Sequence, residues 1–139
     1  MKTVFHIIDK HVCPALRRKL VIHLYRRGLT VSEISRLTGY SKSLVSRYLR
    51  GERGAGIDIS LYPDIDEHLS RLAHRIVDNK LDPLKVEACI ARIAVYMMRK
   101  RYVCGYHKTI DPGVNPAECN LCPEIFREIQ IPAIPGTKE

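Results

Sequence analysis

The sequence predicts an all-α protein, on three observations. Apolar residues recur at three- and four-residue intervals in successive segments, residues with capping chemistry stand where those segments begin, and glycine or proline punctuates their ends. Each element follows from these signals in turn.

Residues 4–12 place Val4, Phe5, Ile8 and Val12 on one helical side, which suits a short helix or an extended lead-in. Pro14 can occupy the first turn of the next helix, because a first-turn residue needs no N–H partner. Leu16, Leu20 and Leu24 follow at i, i+4 and i+8 with Val21 beside them, and Gly28 ends the run. Thr30 then reads as an N-cap, with Glu33 three residues later completing a capping box ahead of Ile34 and Leu37. Gly39 closes that short helix, and Ser41 caps another whose inward residues are Leu44, Val45 and Leu49.

Beyond the loop "GERGAG", Pro63 and the acids after it open a helix over residues 63–79, with Ile65, Leu69, Leu72, Ala73, Ile76 and Val77 on one stripe. Asp82 and Pro83 start a longer one, expected to run to Tyr102 with Val86, Cys89, Ile90, Ile93 and Met97 along one side. Ala94, Val95 and Met98 make it apolar over much of its circumference, so it requires more than one covering neighbour, within the domain or from a second subunit. We read it as a dimer contact. The tail "IQIPAIPGTKE" carries no pattern that assigns it an element.

Charge locates the partner. The net charge of +8 is uneven: residues 1–56 carry twelve Lys/Arg against three Asp/Glu, whereas residues 57–139 carry eleven against twelve. Such asymmetry points to an anionic partner, nucleic acid or a lipid surface. No run of 18 apolar residues exists and the first apolar stretch is interrupted by charges, so neither a membrane span nor a signal peptide is expected, and the predicted location is cytoplasmic.

The stretch "GLTVSEISRLTGYSKSLVSRYLRGERG" makes the partner double-stranded DNA. Two short helices joined by a Gly-containing turn, the second basic and Ser-rich on its free side, form the arrangement that lays a recognition helix in the major groove. Lys42, Ser43, Ser46 and Arg47 are the expected base contacts. Thr30, Ser41, Tyr48, Arg50 and Arg53 are the expected phosphate contacts.

This stretch resembles the helix-turn-helix of the λ-repressor-like (XRE-type) transcription regulators. The whole chain is more closely similar to small archaeal predicted regulators that pair this motif with a C-terminal Cys-rich element, through "CPALRRKL", "VSRYLRGERG" and "CGYHKTIDP...CNLCP". The resemblance implies sequence-specific DNA binding and transcriptional control. Ser35 stands where such motifs usually have Ala, so its hydroxyl requires a backbone partner.

The cysteines form the second constellation. Cys104 and His107, then Cys119 and Cys122, are two C-x2-C/H pairs across a Pro/Gly-rich loop, a spacing that suits a closed tetrahedral zinc site. Such a site can contribute about 10–16 kcal/mol to folding a small metal module. Two alternatives stay open: an iron-sulfur cluster, with Cys13 or Cys89 recruited, and redox-active thiols without metal. Cys13 and Cys89 otherwise read as structural, and His6, His11, His23, His68 and His74 as surface or satisfied positions. No phosphate-binding Gly-rich loop, nucleophile elbow or metalloprotease helix is present, and Asp64, Asp66 and Glu67 fit the favourable first turn of a helix, so no enzymatic activity is expected.

The chain therefore divides in prediction into a DNA-binding domain (1–56), a helical dimerisation region (57–103) and a Cys/His metal-binding element with its tail (104–139). The expected function is that of a dimeric transcriptional regulator with a structural metal. The alternatives are a metal- or redox-sensing regulator and an RNA- or protein-binding module.

Overall fold

The computed structural model describes residues 3–78 and 81–127, and the C-terminal tail read above lies outside them. Among the described residues every regular element is helical. The chain runs from α1 (Val4–Ile7) through a π-helical segment (Ile8–Val12) directly into α2 (Cys13–Arg26). This settles the open choice at residues 4–12 in favour of a helix. Pro14 supplies the reason for the π register: it has no N–H to donate one turn back, and the Cys13 N–H bonds to the Ile8 carbonyl, five residues away. The widened turn keeps Ile7, Val12 and Leu16 all facing inward and fully buried.

α2 is the central element. Leu16, Leu20, Val21 and Leu24 are inaccessible to solvent, and the helix packs against α4 (Lys42–Leu49), α5 (Pro63–Val77) and α6 (Pro83–Arg99). α3 (Val31–Thr38) lies between α2, α4 and α6. A short 3-10 turn, Ile59–Leu61, capped by Asp58, inserts Ile59 into the core ahead of α5. On α5 the stripe forms as expected, with two changes: His68 is buried within it, and Val77 sits at its exposed edge at 37 %.

One reading of α6 needs correction. It ends at Arg99 instead of Tyr102, because Arg101 takes a left-handed conformation, φ 64°, that reverses the chain. Tyr102 then stacks on Tyr62 at 4.9 Å and donates to Asp64, while Tyr62 donates to the Tyr102 carbonyl, so the start of α5 is tied to the end of α6. The apolar excess of α6 is largely covered from within: Ala94 and Met98 are buried with Ile90 and Ile93, beneath α2, α3, α5 and α8 (Leu121–Ile125). What stays open on α6 is Leu84, 81 % exposed, with Ala88 and Ala91 along the same side.

One hydrophobic cluster runs from Val4 to Phe126 and takes residues from all three predicted regions. The segment after α6, including α7 (Cys104–Ile110), is anchored to the rest through buried Val103, Cys122 and Phe126. No described helix is long and apolar enough to cross a membrane.

Candidate nucleic-acid interface

The helix-turn-helix forms from the local chemistry its sequence contains. The Thr30 hydroxyl accepts from the Glu33 N–H at 3.2 Å, and the Glu33 carboxylate accepts from the Thr30 N–H at 3.1 Å. The bond from the Thr30 backbone, joined by that from its hydroxyl, holds the Glu33 carboxyl below the usual carboxylate range. At the turn, Gly39 adopts φ 82°, which L side chains rarely do, and a Cβ there would stand 3.1 Å from Pro83 of α6. Ser35 finds the partner it requires, donating to the Tyr40 carbonyl at 2.6 Å, and Thr38 donates to the Ile34 carbonyl at 2.7 Å. These bonds brace the turn from inside. Ser41 caps α4 by accepting from the Leu44 N–H at 3.1 Å.

α4 divides into two faces. Val45 is buried, and Leu44 and Leu49 pack half-buried against the core. Lys42, Ser43, Arg47 and Arg50 are exposed and Ser46 is half-buried beside them. Among the described residues neither Lys42 nor Arg47 enters an ion pair with a carboxylate. Ser41 keeps an O–H to donate outward while its oxygen accepts from the helix end.

Tyr48 must be withdrawn from the phosphate contacts. It is 1 % exposed, its ring packs edge-on to Tyr40, and burial raises its pKa, so it is a core residue of the recognition helix. The position follows Arg47 directly on the helix, and the turn of about 100° per residue carries its side chain round to the core.

Much of the N-terminal positive charge is used internally. Arg17 pairs with Glu87 of α6; burial works against its charge, but the hydrogen bond and field of Glu87 outweigh that, so the guanidinium stays charged between Tyr40 and Tyr48. Arg18 donates to the Tyr48 carbonyl at 3.1 Å, near the C-terminal end of α4 where a cation is favoured. Lys19 and His23 both face Asp66 of α5, and Arg27 donates to Ser70. These positioning roles were not read from the sequence, since "RRK" looks like part of one basic patch until the helices are assembled. The pairing of His74 with Asp78 was not read either, although its i, i+4 spacing could have shown it.

Arg50 is also engaged, donating to both carboxylate oxygens of Glu52 at the end of the motif. Removing that carboxylate with Glu52→Gln should release Arg50 toward an anionic partner. Duplex-DNA affinity should rise and the log–log salt slope should steepen by about 0.9 if one further phosphate is contacted. Unchanged affinity and slope would place Arg50 away from the backbone.

The Cys/His element is less closely assembled than its spacing suggests. Cys104 and His107 lie on α7, on a helix instead of a tight turn, while Cys119 is in the following loop and Cys122 on α8. The Cys122 thiol is pushed up to about 11 by burial and then by the fields of Cys104 and Cys119, so three sulfurs share one neighbourhood. His107 directs its Nε2 toward Asp111, at 3.8 Å. Among the described residues no group of three or more His, Cys, Asp or Glu side chains stands close enough to hold a metal ion. The donor chemistry is soft and suits zinc, but the four-ligand set is not closed. Cys13 and Cys89 are buried, each with its thiol pKa raised chiefly by burial.

The arrangement defines a class: α2 supports a two-helix unit whose second helix presents a basic, hydroxyl-bearing face, which is the architecture of helix-turn-helix DNA-binding proteins. Comparison with known families agrees, since residues 15–58, less than a third of the chain, match a homeodomain-like domain. The matched region runs from α2 through the recognition helix to the 3-10 turn. No curated protein and no solved structure matches the chain.

Proposed function

We propose that this protein is a sequence-specific DNA-binding transcriptional regulator of the XRE-like, archaeal kind that its sequence resembles. The observation that carries the reading is the face of α4, where Lys42, Ser43, Ser46 and Arg47 stand clear of the core on a helix held at both ends. Arg47 can read guanine through O6 and N7, and Thr30, Ser41, Arg50 and Arg53 would hold phosphates on either side. The regulator would act as a homodimer, with the open stripe of Leu84, Ala88 and Ala91 on α6 as the contact and recognition helices about 34 Å apart. Selection of bound sequences from a random duplex pool tests the reading. A palindromic consensus is expected, whereas equal affinity for all duplexes, or preference for RNA of equal length, would overturn it.

Cys104, Cys119 and Cys122, with His107 turned from Asp111, would hold a zinc ion that staples the C-terminal element. An iron-sulfur cluster that senses metal or oxidant is the second reading, favoured by the Tyr106 hydroxyl bond to His11 Nδ1 at 2.9 Å, which links this element to the DNA-binding half. Metal analysis with an absorption spectrum on anaerobically purified protein separates them. One zinc per chain, no visible absorption and a chelator-induced fall in melting temperature are expected; iron and sulfide would favour sensing, and no bound metal would remove both.

A further inference from the structure

An open cleft of ≈ 490 Å³ lies where the π-helical segment, the loop leaving the recognition helix and α7 converge. Lys10, His11, Arg53 and Tyr106 line it, and Gly54, Ala55 and Gly56 form one wall. The glycines let that wall come close: a Cβ on Gly54 would stand 2.3 Å from the Pro14 carbonyl oxygen, and one on Gly56 2.9 Å from the Tyr106 hydroxyl. Among the described lining residues the one acid, Glu52, accepts from Arg50 through both carboxylate oxygens, which leaves Lys10 and Arg53 to set the sign of the field. The π register bears on this site directly, since it carries Lys10 and His11.

We infer that this cleft binds a small phosphate-bearing ligand, and that the ligand opposes DNA binding. An ammonium and a guanidinium, beside a His11–Tyr106 pair already bonded to each other, border a volume within the usual range of ligand pockets and suit a compact anion with several acceptor oxygens. Arg53 gives the regulation. It follows the recognition helix by a few residues and is also a phosphate contact in the proposed DNA complex, so a ligand that holds it in the cleft withdraws it from the duplex. His11 and Tyr106, bonded to each other in the lining of the cleft, extend the effect to the Cys/His element. The second half of the inference rests on the DNA-binding reading; the first half does not.

Inorganic pyrophosphate is the probe, titrated calorimetrically into the full chain without DNA at constant ionic strength. Saturable binding is expected, weakened about tenfold by each of Lys10→Gln and His11→Ala, with unchanged circular dichroism for both variants. In a second arm pyrophosphate lowers duplex-DNA affinity at least about fivefold in the parent protein and has little effect in Lys10→Gln. No saturable binding, or binding indifferent to both substitutions, overturns the ligand site whatever the protein does with DNA. Loss of DNA affinity in Lys10→Gln without pyrophosphate binding assigns the cleft to the DNA backbone, and likewise overturns it. Pyrophosphate binding without any effect on DNA overturns the coupling alone.

Discussion

Gly54→Ala should destabilise the protein by about 2–5 kcal/mol in urea unfolding, combining a left-handed conformation for a non-glycine residue with overpacking against backbone. Gly54 has φ +72°, and its added Cβ would lie 2.3 Å from the Pro14 carbonyl oxygen and 2.8 Å from the carbonyl carbon. Neither is the end of a flexible side chain, so relief requires the loop to move off α2. That movement would displace Arg53 and open the cleft, so DNA affinity should fall with stability. Gly113→Ala is the matched control: its nearest neighbour would be Asp111 Oδ1 at 3.6 Å, an ordinary contact, and its cost should stay below about 1 kcal/mol. Equal stability of the two variants would show that the loop does not approach Pro14 as described.

Arg47→Ala should weaken binding to the preferred duplex by about 1–3 kcal/mol, and relax the sequence preference at one position of each half-site. The side chain is exposed on α4 and lies outside the hydrophobic core, so folding should be unaffected. Measuring affinity across a panel of single-base variants makes the test sharp. Loss confined to the preferred base pair identifies a base contact, whereas the same loss on every sequence makes Arg47 a phosphate contact and moves specificity to Lys42, Ser43 and Ser46.

The two predictions concern neighbouring parts of one motif but were legible to different degrees. The capping box at Thr30 and Glu33, the Gly39 turn and the outward set around Arg47 depend on residues within a few positions of each other. Helical geometry and hydrogen-bond inventory are enough to place them. Tyr48 was misread because a large amphipathic side chain next to Arg47 looks equally suited to a phosphate or to a core. Only the packing of Tyr40 and the Arg17–Glu87 pair around it decides.

The apolar circumference of α6 raises the same difficulty at larger scale. Its pattern established that several neighbours must cover it, yet it could not distinguish another part of this chain from another copy. The burial of Ala94 and Met98 within the chain confines the open surface to Leu84 and the alanines beside it.

By itself, the sequence determined the helical class, the boundaries of the short helices, the turn between them and the chemistry of the recognition face. All of these arise from interactions spanning at most a few residues, where the chain's own geometry brings the partners together. Tertiary structure alone decided which basic residues are taken up internally by Glu87, Asp66 and the Tyr48 carbonyl, that Cys104, Cys119 and Cys122 share a neighbourhood without closing into a ligand set among the described residues, and that Lys10, Arg53 and Tyr106 line one cleft. Those juxtapositions join positions tens of residues apart. They depend on how the helices pack, which spacing along the chain does not encode.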